Sequence, residues 1–236
     1  MTSDNDNEPK SELRIKWPPF MDLMILIAVL VVVKQALIPV TLLYAGPIST
    51  TSAMIVGTVL LKRRGMGWRD LGFRKPEGWM RTAGLGVLVF VAIIATSGTA
   101  GYVADLLFED VGTSGRFDHV EGDIAAYATV MLMVWTHAAI FEEALFRAFV
   151  INRVLATLGG GRAAEVFAVL FSATFFGYRH YYYQGMNGAL TTGAIGLVLG
   201  LLYLWFGRRN IWPLVLGHGV INTIGMTARF LGVRGD

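Results

Sequence analysis

The chain has 236 residues, of which 54% are hydrophobic and 16% charged, with a mean hydropathy of +0.55. A soluble domain carries about a quarter charged residues, so the composition excludes an ordinary water-soluble enzyme and reads as a polytopic membrane protein. A net charge of +3 without a basic-aromatic patch makes no case for nucleic acid, and the absence of cysteine removes disulfide and thiolate chemistry.

Residues 1–19 form a polar tail of mixed charge, with Asp4, Asp6, Glu8, Lys10, Arg14 and Lys16, that closes on Trp17-Pro18-Pro19 at a membrane interface. Residues 20–44 read as an uncleaved span with a kink at Pro39. Lys34 inside it is assigned to snorkelling or to contact with a neighbouring helix. The second span, 47–61, is short for a crossing of about 20 residues. A basic loop, 62–81, leads to the third span, 82–108. The 109–123 loop is acidic, with Arg116 as its single basic residue apart from His119. The fourth span, 124–158, ends at Gly159-Gly160-Gly161, and spans at 163–180, 189–206 and 211–231 follow. The expected fold is an all-α polytopic transmembrane helix bundle of about seven spans, or eight if one is hidden. It divides into the tail, N-terminal helices over 20–123, a core over 124–231 and a short tail over 232–236. No internal repeat is visible.

Taken alternately, the loops place Lys10, Arg14 and Lys16, the 62–81 loop, Arg153 with Arg162, and Arg208 with Arg209 on one side. The other side holds the acidic loop, Arg179, Arg229 and Arg234. The positive-inside rule makes the first side, with the N-terminus, cytoplasmic.

The fourth span carries Phe141-Glu142-Glu143-Ala144-Leu145-Phe146-Arg147 inside an apolar run. One ionisable side chain at the centre of a membrane helix costs roughly 2.5–3.5 kcal/mol on insertion scales, so three together call for partners. Glu143 and Arg147 are four apart and share a helix face, which assigns them mostly a structural role. Glu142, about 100° round an α-helix from Glu143, has no partner in this segment and needs a proton, a histidine or a metal from elsewhere. Later spans carry Phe176-Gly177-Tyr178-Arg179-His180 and His218-Gly219-Val220-Ile221-Asn222. The last pair again sits four apart on one face. Each of these groups is costly in lipid, so Glu142, His180, His218 and Asn222 are expected to converge inside the bundle.

Counted from the cytoplasmic helix ends at about 1.5 Å per residue, Glu142 lies roughly 24 Å deep, His180 roughly 26 Å and His218 only roughly 10 Å. A tilt or an earlier start of the last helix would close part of that gap. His137 is read as a histidine satisfied by a neighbour, His119 as solvated, and Phe176 as packing against His180. Gly193, Gly196 and Gly200 form a small-residue face for helix packing.

Glu142-Glu143-x-x-x-Arg147, Phe176-x-x-x-His180 and His218-x-x-x-Asn222, in this order on separate apolar segments, resemble the signature of the CPBP intramembrane proteases, also called the CAAX-protease/bacteriocin-processing or Abi family. Phe146-Arg147 and Ile211-Trp212-Pro213 agree with that context, and the resemblance covers about residues 125–226. It implies an all-α membrane endopeptidase. Glu142 and His180 would activate water, His218 and Asn222 would hold the oxyanion, and Glu143 and Arg147 would brace the site.

The residue chemistry is compatible with this. A carboxylate kept from bulk water acts as a general base, and an amide with an imidazole can stabilise an oxyanion. Glu142, His180 and His218 would also make a two-His, one-carboxylate zinc set with an open position. The metal-free glutamate mechanism is slightly favoured, with no cofactor certain and Zn²⁺ as the alternative. The expected partners are the lipid bilayer and a membrane-associated protein or peptide, cleaved near its C-terminus and lipidated or not. The expected location is a prokaryotic inner membrane. Two other readings stay open: a non-catalytic immunity or membrane-partner protein on the same scaffold, and a proton-coupled transporter. The missing inverted repeat speaks against the last.

Overall fold

Two proline residues open the first helix, at positions where a missing N–H costs nothing. The computed structural model describes residues 16–108 and 115–233. Most of the N-terminal tail, Glu109 and Asp110 of the acidic loop and the last three residues lie outside the described residues. The major helices are α1 (Trp17–Leu37), α2 (Ala45–Arg63), α3 (Trp79–Leu107), α4 (Ile124–Leu158), α5 (Arg162–Trp205) and α6 (Trp212–Phe230). No strand occurs among the described residues. Four of these helices, α1, α3, α4 and α5, are long and apolar enough to cross a membrane. Side chains such as Val87, Val91 and Ile94 of α3 and Phe167 and Leu170 of α5 face outward, as lipid contact requires. Asp22, Lys34, Glu142, Glu143, Arg147, Arg179 and His218 are buried instead.

The boundaries correct three expectations. Pro39 does not kink a longer helix. α1 stops at Leu37: Ile38 still holds α-helical angles, but Pro39 has no N–H to give and its ring crowds the preceding turn. The second helix is not short: it runs over 19 residues. The fifth continues past His180 and its tyrosines. Gly185, at φ 64° and ψ −163°, takes a conformation open to glycine alone. There α5 reverses into two antiparallel arms, 162–184 and 186–205. A Cβ built on Gly196 would lie 3.2 Å from Ala173 Cα, and one on Gly200 would lie 3.0 Å from Val169 Cγ1. The glycine face read from the sequence is the seam between the arms, where small residues let backbones approach.

Contacts sort the connections onto two ends of the bundle. At one end Arg64 and Arg153 both reach Asp22, at 3.0 and 3.7 Å. There the Ile211 amide donates to the Gly72 carbonyl and the Lys16 amide to Thr157. This end gathers the basic loops. At the other end the Gly122 amide donates to Phe230, Asn187 donates to Asp105, and Arg116 donates to the Leu43 carbonyl.

Candidate active site

Helix α4 positions the site by departing from α-helical winding. Asp123 starts it by accepting the Ala125 and Ala126 amides at 2.8 and 3.0 Å, as an N-cap does. From Val134 to Phe141 and again from Glu143 to Ile151 the helix is π-wound, and the Glu142 amide donates to the carbonyl of His137, five residues back. Such winding is rare and marks functional sites more often than chance. Its consequence is local: residues five apart become axial neighbours.

His137 Nε2 accordingly lies 3.5 Å from Glu142 Oε1. This overturns the expectation that Glu142 lacks a partner in its own segment. That expectation assumed an α-helix, in which a five-residue spacing points the two side chains apart. The neighbour that contacts His137 is the Glu142 carboxylate itself. His137 Nδ1 is buried without a hydrogen-bond partner.

Glu143 is fully buried. One of its oxygens accepts from His218 Nδ1 at 2.8 Å, and the other lies 3.3 Å from Arg147 Nε. The Arg147 guanidinium sits 4.4 Å from the centre of the Phe176 ring. Glu143 thus ties α4 to α6, a link not foreseen for the residue read only as the partner of Arg147. The shallow count for His218 also resolves here. α4 has 35 residues, far more than the about 20 that cross a hydrocarbon core. Depth measured from the end of so long a helix is overstated.

His218 is held between glycines. A Cβ at Gly217 would meet Val89 Cγ1 at 2.6 Å, and one at Gly219 would meet the Trp135 ring at 2.6 Å. The backbone of α6 therefore presses against α3 on one side and α4 on the other, which fixes the imidazole between them. His180 is held by its own helix: Nδ1 is 2.8 Å from the Phe176 carbonyl, and its ring lies 4.6 Å from that of Phe176. Donation from Nδ1 to that carbonyl leaves Nε2 as the acceptor. Arg179 beside it is buried rather than a loop charge, so it drops out of the topology count. It donates to the Leu30 carbonyl and, at 2.8 Å, to Ser49. Lys34 donates to the Arg179 carbonyl at 3.0 Å, the contact with a neighbouring helix read from the sequence. Together they fasten the first arm of α5 to α1 and α2.

Glu142, His180, His218 and Asn222 all line one cavity of about 650 Å³, joined by His137 and Arg116. Among the described residues no three His, Asp or Glu side chains are grouped so as to hold a metal ion. The set of Glu142, His180 and His218 is not gathered as ligands: His218 Nδ1 is engaged by Glu143 at 2.8 Å and His180 Nδ1 by the Phe176 carbonyl. These three donors are not arranged as a metal-ligand set among the described residues. The sequence reading undervalued two groups at the cavity: His137, whose signal was a spacing of five, and Arg116, whose signal was a lone strong cation in an acidic loop.

Residues 124–224 match the family model described as Type II CAAX prenyl endopeptidase Rce1-like. No curated protein and no solved structure gives a significant match to the chain.

Proposed function

With residues 124–224 a domain of the Rce1-like CAAX prenyl endopeptidase family, we propose that this integral membrane protein hydrolyses a peptide bond of a membrane-associated protein by glutamate-activated water. The observation that supports it best is the shared cavity. One acid, two histidines and one amide from three separate helices line it, in surroundings otherwise apolar enough to strengthen each interaction.

In this reading Glu142 takes a proton from water as the water oxygen attacks the scissile carbonyl carbon. His180, with Nδ1 engaged at Phe176, accepts the second water proton at Nε2 as a hydrogen bond and so orients the nucleophile. The carbonyl pair moves onto oxygen. The resulting oxyanion receives hydrogen bonds from Asn222 Nδ2 and from His218 Nε2. His218 is oriented for this by Glu143, 2.8 Å from its Nδ1. Collapse breaks the C–N bond, and the leaving nitrogen takes the proton held by Glu142. The products are one new carboxylate and one new amine. His137 holds the Glu142 carboxylate in the cavity wall.

The cavity rim includes Asp105, Arg116, Asn187 and Arg229, all at the end of the bundle opposite the basic loops. With those loops cytoplasmic, substrate reaches the site from the non-cytoplasmic face of what is proposed to be a prokaryotic inner membrane. The cysteine-free chain allows a direct check: a single cysteine at Asn187 is labelled by an impermeant maleimide added outside intact cells.

The decisive experiment compares the terminal masses of membrane proteins in cells carrying the wild type, Glu142→Ala or His180→Ala. Unprocessed forms of the same substrates accumulate in both variants. Normal processing by a well-expressed Glu142→Ala protein overturns the assignment and favours a non-catalytic partner.

A further inference from the structure

We propose that a groove at the basic end of the bundle binds the phosphate headgroup of an anionic phospholipid from the adjoining leaflet. This goes beyond the peptidase reading and does not rest on it.

The groove measures about 600 Å³, and its wall includes Lys16, Arg64, Asp70, Asn152, Arg153 and Arg208. Its charges do not cancel. Arg64 donates to the buried Asp22 from both Nε and Nη2, at 3.0 Å each. Arg153 shares that carboxylate, with Nη1 3.7 Å from it. One acid thus serves two guanidiniums. Asp70 already accepts the Gly67 amide at 2.8 Å. Arg208 donates to the side-chain oxygen of Asn152 at 3.2 Å, a neutral partner. Among the described residues neither Arg208 nor Lys16 is paired with a carboxylate. The groove therefore keeps an excess of positive charge, which concentrates anions.

The cations are ordered before a ligand arrives. Arg153 is buried, and its Nη2 donates to the Met66 sulfur at 3.3 Å. The Lys16 amide is tied to the Thr157 carbonyl. Arg208 has φ 59° and is the one non-glycine residue in the left-handed region among the described residues, a conformation unfavourable for a side chain with a Cβ. The chain accepts that strain at the residue whose guanidinium reaches Asn152 in the groove wall. Fixed guanidiniums with donors left over suit the oxygens of a phosphate.

Helix α1 argues for a lipid over a free phosphate. Trp17 stands between Lys16 and Pro18, both of which line the groove. Trp17, Met21 and Ile25 are exposed and four apart, so they form one apolar stripe along the helix, leading from the groove into the bilayer. An indole ring at such a place marks the membrane interface. A headgroup in the groove lays an acyl chain along this stripe, which a soluble phosphate leaves unused. Basic pockets between membrane helices at a cytoplasmic face bind anionic headgroups in this manner.

The test titrates the purified full chain, in non-ionic detergent micelles, with phosphatidylglycerol, phosphatidylcholine or glycerol phosphate. Thermal transitions and mass spectra of the retained lipid give the affinities. The wild type is expected to bind phosphatidylglycerol about tenfold or more tightly than phosphatidylcholine, with a saturable rise in the transition. Arg208→Asn, which keeps a residue tolerant of the left-handed region, lowers that ratio about tenfold. Lys16→Gln lowers it about fivefold, the scale of one lysine at a lipid surface. Lys62→Gln with Arg63→Gln, two exposed cations outside the groove, leaves the ratio within about twofold. Because each ratio compares two lipids in one variant, a change in intrinsic stability cancels.

Equal affinity of the wild type for the two lipids overturns the proposal. So does a loss in the Lys62→Gln, Arg63→Gln protein as large as in Arg208→Asn, which marks diffuse surface charge. Stabilisation by glycerol phosphate equal to that by phosphatidylglycerol also overturns it, because the ligand is then a soluble phosphate. Retention of phosphatidylglycerol by wild type and not by Arg208→Asn establishes the site.

Discussion

Glu142 and Glu143 are consecutive residues of one helix in opposite electrostatic situations. Glu143 is 0% exposed, with one oxygen accepting from His218 at 2.8 Å and the other 3.3 Å from the Arg147 guanidinium as an ion pair without a hydrogen bond. Glu142 is 8% exposed and lines the cavity, with His137 Nε2 3.5 Å from one of its oxygens. One carboxylate is committed to joining helices, and the other is left free for chemistry. The lesson is that charge count alone does not identify a reactive acid. What matters is which oxygen lone pairs the fold has already used.

Exchanging the roles of the two acids breaks this contrast most severely. Glu142→Gln is expected to lower kcat by about 10²- to 10⁴-fold, the scale of a lost general base, with an unchanged thermal transition in detergent. Glu143→Gln is expected to act on stability instead. Removing one partner of a buried ion pair costs about 3–5 kcal/mol, which a denaturation midpoint reads directly. Equal losses of stability in the two variants would erase the distinction. Next in size, Asn222→Ala removes the proposed oxyanion donor and is expected to lower kcat by about 10²- to 10³-fold with little change in KM. A comparable rise in KM alone would instead make Asn222 a ground-state contact.

A smaller effect sharpens the view of Glu142. His137→Gln removes the group that orients it, and kcat is expected to fall about tenfold, or 1.4 kcal/mol, while the Glu143 cluster and the melting temperature are unaffected. The smallest effect is expected at the start of α4. The Ala126 and Ala125 amides hold the Asp123 carboxyl below its ordinary value of 3.8. A lowered folded-state pKa contributes stability that is present above the ordinary value and lost as pH falls through the folded one. Wild type therefore loses a slight stabilisation on acidification below about pH 4 that Asp123→Ala never has, measurable as converging melting temperatures.

Where neighbours along the chain determine the geometry, the sequence was readable. Glu143 with Arg147 and His218 with Asn222 both follow from spacings within a turn. The glycine seam of α5 and the burial of Lys34 were legible because lipid gives small and charged residues few other uses. What escaped was long-range or cumulative. The His137–Glu142 contact depends on winding, and no propensity marks a π turn. The bond from His218 to Glu143 depends on how α6 lies across α4, which glycines 217 and 219 permit but do not announce. The end of α1 at Leu37 was misread because a proline in a membrane helix more often bends it than stops it.

The π winding of α4 also makes residue number along this helix a mechanical setting. Each residue's direction is the accumulated rotation of all residues before it. Deleting one residue between His137 and Glu142 with the winding unchanged would turn everything downstream back by one residue's rotation, on the order of 100°. Glu142 would then turn away from His137. Arg147 would leave the Phe176 ring, and Arg153 would leave Asp22 at the far end of the bundle, 3.7 Å away in the intact chain. The helix thus behaves as a geared shaft: its middle can be lengthened or shortened only if the couplings at its two ends are recut together.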